Sequence, residues 1–227
     1  MPMNRNLPLK KLHLWNDAEP RSGPENMAVD QWLAETSSMP TLRIYQWQGS
    51  WASLGYFSHI EQARIMFPDC PLVRRWTGGG MVDHRNDWTY TLFLPADQPL
   101  VKLHGKEVYS IIHRALAHVM RESGIDARLA AADASVSSPL CFERPVCWDV
   151  VDANGIKLAG AGQRRGRFGL LHQGSVSRLP GHDTVRASSL AAALAEQVYD
   201  CEMSMDQWRI ADLLKRRYEQ EAWQNLR

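Results

Sequence analysis

Asn154-Gly155 stands between two short runs rich in apolar residues, Trp148 to Val151 and Ile156 to Gly162, and this arrangement constrains the fold most. An Asn-Gly pair favours a tight type I′ turn, so the two runs are expected to pair as an antiparallel hairpin. A polar turn, Gln163 to Gly169, leads into a further strand over Leu170 to Val176. Two more strands are read at Thr41 to Trp47, from β-branched and aromatic content, and at Thr89 to Leu94, which stops at Pro95. Helices come separately. Ser22-Gly23-Pro24-Glu25 has the form of a capping box and opens a helix through Met27, Trp32 and Leu33; Ser204-Met205-Asp206-Gln207 opens another through Trp208, Ile210, Leu213 and Leu214. Between Lys106 and Ser123, Val108, Ile111, Ile112, Ala115, Leu116, Val119 and Met120 recur at helical spacing, and Gly124 supplies the stop. Strands joined by hairpins, with helices apart, predict an α+β domain built on a largely antiparallel sheet flanked by helices. A chain of 227 residues suits one such domain, 1–227.

The charge balance, 26 Lys plus Arg against 25 Asp plus Glu, gives no field of one sign to recruit nucleic acid. Met1 to Trp15 lacks the apolar core of a signal peptide, and no run reaches the length of a membrane span, so a cytoplasmic protein with no membrane partner is expected. Cys70, Cys141, Cys147 and Cys201 form neither a C-x-x-C pair nor a disulfide framework, which suits a reducing compartment and argues against zinc or another metal.

Two segments carry chemistry. In Arg74-Arg75-Trp76-Thr77-Gly78-Gly79-Gly80-Met81-Val82-Asp83-His84, three glycines follow a strand end, where backbone amides can approach a ligand closely. No Gly-Lys-Ser/Thr follows and the G-x-G-x-x-G spacing is absent, so neither a Walker loop nor a dinucleotide fingerprint is present; three glycines alone also suit a surface turn. In Gly155-Ile156-Lys157-Leu158-Ala159-Gly160-Ala161-Gly162-Gln163-Arg164-Arg165, strand alternation puts Lys157, Ala159 and Ala161 on one face and Ile156 and Leu158 on the other. An ammonium above methyl groups leaves room for an extended chain ending in a carbonyl. An edge-strand lysine in water is the plainer alternative.

These residues resemble the superfamily of lipoate ligases, octanoyltransferases and biotin ligases. Arg74 to His84 is similar to that family's R-R-x-T/S-G-G-G/R-A-V-x-H signature, Thr89-Tyr90-Thr91 to its T-Y-S strand, and Gly155 to Arg165 to G-x-K-x-A-G-x-A-Q-R-R. Glu25-Asn26-Met27-Ala28-Val29-Asp30, Leu42-Arg43-Ile44-Tyr45-Gln46-Trp47 and Ser53-Leu54-Gly55-Tyr56-Phe57 match in the same order, so the resemblance runs from about Glu25 to Ser175. Cys141-Phe142-Glu143-Arg144-Pro145-Val146-Cys147-Trp148-Asp149 resembles the C-F-x-x-P-x-x-x-D/E segment of the single-domain cysteine-dependent octanoyltransferases, which puts the nucleophile at Cys141 and leaves Cys147 structural.

The resemblance implies a catalytic domain like those of class II aminoacyl-tRNA synthetases and biotin synthetase. It implies acyl binding by Arg74, Arg75, Thr77, Gly78, Gly79, Gly80, His84, Ala159, Gly160 and Ala161, with Lys157 at the acyl carbonyl. The implied reaction moves octanoyl, or a lipoyl-type acyl group, from a carrier thioester to a lysine of a lipoyl domain through an acyl-enzyme on Cys141. Its partners would be acyl carrier protein and lipoyl-domain proteins such as the glycine cleavage H protein or dehydrogenase E2 subunits. Thioester to amide is downhill, so no cofactor is required. The alternatives are an ATP-dependent lipoate-protein ligase, an amidotransferase between lipoyl-bearing proteins, and a non-catalytic acyl or lipoyl-domain binding module. Leu171-His172-Gln173-Gly174-Ser175 departs from the family's Q-H-G-S or H-H-G-T, and alternation turns His172 to the opposite face from the usual histidine, leaving it only a candidate for the site. Arg85 replaces a common acidic residue, and Ser58 a common glutamine. Arg164, Arg165 and Arg167 form a basic turn suited to steering acidic carriers.

Overall fold

Alternation along β6 (Asp87–Pro95) divides the core in two. Trp88, Tyr90, Leu92 and Leu94 pack with α3 (Gly105–Glu122) and α4 (Thr184–Leu194) on one face. Phe93 points to the other face, toward α1 (Gly23–Thr36) and α5 (Gln207–Leu213). Side chains two apart on a strand share a face, so one strand serves both layers. The computed structural model describes residues 7–133, 145–177, 179 and 183–226.

The remaining strands are β1 (Leu9–Arg21), β2 (Thr41–Trp47), β3 (Ala52–Leu54), β4 (Leu72–Arg74), β5 (Met81–Asp83), β7 (Arg128–Leu129), β8 (Val150–Val151), β9 (Lys157–Gly166), β10 (Gly169–Ser177) and β11 (Ala195–Asp200). Eight form one mixed sheet in the order β11-β1-β2-β6-β10-β9-β8-β7, and β4-β3-β5 form a small second sheet. Only the pairs β11-β1 and β1-β2 of the large sheet are parallel; the others run antiparallel, as an α+β chain of hairpins requires. The small helices α2 (Ile60–Met66) and α6 (Glu221–Gln224) flank the small sheet and β4. Among the described residues no helix is long and apolar enough to cross a membrane.

The first capping box forms as read: Glu25 N donates to Ser22 Oγ, and Ser22 N donates to Glu25 Oε2. The second does not. Asp206, rather than Ser204, caps α5 by accepting from Arg209 N, because a carboxylate nearer the first turn reaches the free amide directly. Trp208 is exposed rather than core.

The hairpin at Asn154-Gly155 exists, but its turn differs. Asn154 keeps a negative φ and only Gly155 is left-handed (φ 78°), so a type I′ turn is excluded. Gly155 N donates to Asp152 O, and the Asp152 carboxylate accepts from Asn154 N and Ile156 N, which favours a three-residue loop ending in a left-handed glycine. The incoming strand is only Val150–Val151. Trp148 lies in a turn with φ 74°, not in the strand expected there.

Candidate active site

Where β8 meets β9 the register slips: Val150 pairs with Ala159 but Val151 with Lys157, so β9 carries one extra residue. Such a bulge breaks alternation. Lys157 therefore does not share a face with Ala159 and Ala161; it lies over Gly160, where any Cβ would overlap its Cε. Lys157 Nζ stands 2.8 Å from Asp149 Oδ2. Asp149 is fully buried and also accepts from Val146 N and from the Tyr109 hydroxyl of α3, while Ala161 N donates to the same hydroxyl. Because β8 is only two residues long, the edge of β9 at Ala161 is left for a side chain to satisfy, and Tyr109 fills that role. Burial and the Asp149 charge push the Tyr109 phenol up, so it is a donor at neutral pH.

The glycine loop seats against β9. A side chain at Gly162 would overlap Gly78 O and crowd Thr77 Oγ1, so glycine is needed there for the two backbones to meet. Thr77 Oγ1 donates to Gln173 Oε1 (2.7 Å), and Gln173 Nε2 donates to Asp30 Oδ2 (2.6 Å). Asp30 in turn pairs with the fully buried Arg43, which also engages Asp17 and Asn26 and stacks on Tyr45. A buried ionic network beneath α1 thus fixes the loop's height over the sheet. Fully partnered charges of this kind hold geometry, since losing any one strands the rest.

His84 closes another wall, its ring stacked on Trp47 at 3.9 Å. Arg75 Nη1 donates to Ser53 Oγ, the same hydroxyl is hydrogen-bonded to His84 Nε2 (2.6 Å), and His84 Nδ1 donates to Asp87 Oδ2 (2.7 Å). Ser175 and Thr89 also donate to Asp87. The Ser-His-Asp connectivity is not a nucleophilic triad here: Ser53 is buried outside the cavity and its oxygen is already taken by Arg75. Both His84 nitrogens are engaged, so the cavity meets its ring. Arg75 is buried without a carboxylate partner among the described residues, and desolvation lowers its pKa to about 10.

Around these groups lies a mainly apolar cavity. Arg75, Gly79, Gly80 and His84 line it from the glycine-loop side, and Lys157, Ala159, Gly160 and Ala161 from β9. Tyr45, Trp47, Met81, Tyr109 and Gln173 complete much of the wall. Arg74, Thr77 and Gly78 are not in the lining. The Arg74 guanidinium instead donates to the carbonyls of Gly55, Tyr56 and Ser58 and of Trp223, Gln224 and Leu226. His172 is also absent from the cavity. It is buried on the α3 side beside Tyr90, Tyr109 and His113, while Gln173, next along the strand, faces the cavity. Burial holds His172 well below the ordinary histidine range and His113 down to about 4.

Cys141 lies outside the described residues. On its C-terminal side Val146 lines the cavity, and Cys147 N donates to the Asp133 carboxylate. Cys147 itself is half-buried, its thiol on Ala131 O. The basic turn divides: Arg164 stacks on Trp76, whereas Arg165 turns to the carbonyls of Val101 and Leu103. Sequence reading missed Tyr109, Trp47 and Gln173 as lining residues and Asp149 as the partner of Lys157. Asp149 alone left a signal, as the acidic residue ending the Cys141 segment.

Residues 22–187 match the model of the lipoyl protein ligase A/B catalytic domain. The chain is 32% identical over 166 residues to octanoyltransferase LipM of Oceanobacillus iheyensis, covering 69% of this chain and 60% of that one. It is 33% identical over 166 residues to LipM of Kyrpidia tusciae, covering 66% and 60%. The chain therefore spans about 60% of the length of these curated relatives. Among solved structures, protein Ta0514 of T. acidophilum with bound lipoic acid superposes with a TM-score of 0.73 at 17% identity, over 95% of this chain and 98% of that one. Lipoate-protein ligase A bound with ATP gives 0.68 at 18% identity, over 95% and 98%. With its signature loop and lysine strand forming one cavity, the chain belongs to the lipoyl protein ligase A/B catalytic domain family.

Proposed function

We propose that the protein is an acyltransferase that moves octanoyl, or a lipoyl-type acyl group, from a carrier thioester to a lysine of a lipoyl domain through an acyl-enzyme on Cys141. The observation that carries this reading is the ammonium of Lys157, held by buried Asp149 at the wall of an apolar cavity roofed by the glycine loop. Relatives about 30% identical that are named octanoyltransferases support the same choice.

In the first half-reaction the Cys141 thiolate attacks the thioester carbonyl. The oxyanion that forms is met by the Lys157 ammonium, whose position is set by Asp149 and the absence of a side chain at Gly160. The carrier's thiolate leaves and takes up a proton. In the second, the neutral amine of the acceptor lysine attacks the acyl-enzyme, loses a proton, and returns Cys141 as its thiolate. The amide is more stable than the thioester, so neither ATP nor a cofactor is needed. Acyl carrier protein would be the donor, and the glycine cleavage H protein or dehydrogenase E2 subunits the acceptors. The cytoplasm is the fitting compartment for a cysteine nucleophile.

Mass spectrometry of the protein mixed with octanoyl carrier, without ATP, tests the mechanism. Wild type should gain one octanoyl group, lost again on adding acceptor, and Cys141→Ala should gain none. Transfer only with ATP would convert the reading to a ligase, and full turnover by Cys141→Ala would remove the acyl-enzyme.

A further inference from the structure

A second pocket opens on the same sheet face as the cavity. Gly162 on β9 and Gln173 on β10 line the cavity; Arg164 and Leu171, each two residues further along, line the second pocket. Two strand residues span roughly 7 Å, so the openings are neighbours, with the hydrogen-bonded Thr77 and Gln173 between them. Arg164 reaches the pocket from β9, Arg167 from the β9-β10 turn, and Arg217 from the segment after α5. Their planes rest on aromatic rings: Arg164 over Trp76 at 4.5 Å, Arg167 over Phe168 at 4.5 Å, and Arg217 over Trp223 at 4.7 Å.

None of these three arginines makes an ion pair among the described residues. Arg164 donates to Trp76 O and Arg217 to Gln31 Oε1. The pocket's own carboxylate, Glu35, is occupied by Arg209, which donates to it through Nε and Nη2, and by Gln31. A stacked guanidinium keeps its edge N–H groups for an incoming anion. Three of them, supplied by separate elements, with Arg164 and Arg217 both over the Trp76 ring and Arg167 over Phe168, offer several N–H edges to the carboxylates of an acidic protein surface. Arginine and tryptophan are also the residues around which protein interfaces concentrate their energy.

We propose that this arginine-aromatic pocket is the docking surface for the acidic carrier protein that delivers the acyl thioester. The choice of donor rests on the acyl-transfer reading and on reach. Arg164 is seven residues from Lys157 along β9, roughly 23 Å at the strand rise, which suits a partner whose reactive group sits on a long flexible arm.

The test compares two thioesters, octanoyl on an acidic carrier protein and octanoyl-pantetheine alone, in the wild type, in Arg167→Glu, and in Arg167→Glu/Arg217→Glu. With the protein-borne thioester, charge reversal should lower kcat/KM for acyl-enzyme formation by about tenfold or more at low salt and flatten its salt dependence. With octanoyl-pantetheine all three proteins should agree within about twofold. Arg167 is exposed, so its variant tests the surface even where the double variant folds poorly. Equal loss with both thioesters, or no loss with either, overturns the proposal. So does normal acylation with a raised KM for the acceptor, which would give the surface to the acceptor instead. Titrating the carrier into wild type and Arg167→Glu, read as a change in Kd, tests docking even if no acyl group transfers, so failure of the reaction and failure of the surface are told apart.

Discussion

Asp149 shows how much one carboxylate can organise. It accepts from an ammonium, a phenol and a backbone amide with no exposure to water, so its removal takes a buried acceptor from each of the three. Asp149→Ala should destabilise the protein by about 3–5 kcal/mol, measured by urea unfolding, and slow acylation; stability within about 1 kcal/mol of wild type would contradict the buried pairing. His113 makes a pH prediction. It is fully buried, donates from Nδ1 to Trp148 O with no hydrogen-bond partner at Nε2 among the described residues, and has a folded pKa of about 4 against an ordinary value of 6.5. The unfolded chain therefore binds the proton first. Stability should be complete above about 6.5 and fall by roughly 1.4 kcal/mol per pH unit down to about 4 on this account alone, with His172 adding to the slope in the same direction. Urea midpoints across that window should fall less steeply in His113→Phe than in wild type.

At the scale of elements, the strand pair β9-β10 and the loop above it form the working unit. Gly162→Ala forces a methyl into Gly78 O, so the loop must lift. A cost of about 1–3 kcal/mol is expected, with KM for the acyl donor rising more than the unfolding midpoint falls; unchanged kinetics would mean that the loop does not shape the cavity. The same elements show what the sequence made legible. Helix α3 followed from its apolar spacing, and β2, β6 and β10 from their composition, because each buries a periodic face. Alternation also separated His172 from the cavity, and the structure gives that place to Gln173. The face of Lys157 was not legible. It depends on a bulge that exists only in relation to β8, and nothing local to Gly155 to Arg165 announces an unmatched residue in a partner strand. Tyr109 escaped because it lies beside the apolar stripe of α3, and its value comes from an edge left open by a two-residue strand. Asn26, Asp30 and Arg43 stood inside matched segments, yet only tertiary structure joins them into one buried network.

Across the whole molecule, β4 and the glycine loop are tied to residues far away in the chain. Arg74 is fully buried, with its donors on carbonyls of the Gly55–Ser58 loop and of the segment from Trp223 to Leu226. Replacing it by Ala removes the guanidinium donor from all six carbonyls, of which only Gly55 O and Trp223 O keep a backbone amide among the described residues, and Arg74→Ala should expose the region after Tyr218 to limited proteolysis while the large sheet keeps its protection. Uniform resistance to protease would show that the tether is dispensable. The span of the tether also bears on how the protein is made. Gln224 bonds a residue 150 positions earlier, so while a ribosome is still adding residues to the chain, the signature segment has emerged long before its support. A nascent chain halted short of Trp223 would carry every described residue of the cavity lining and yet lack the clamp behind it, so a supported cavity should form only once that segment has emerged, as a single event, rather than grow with length.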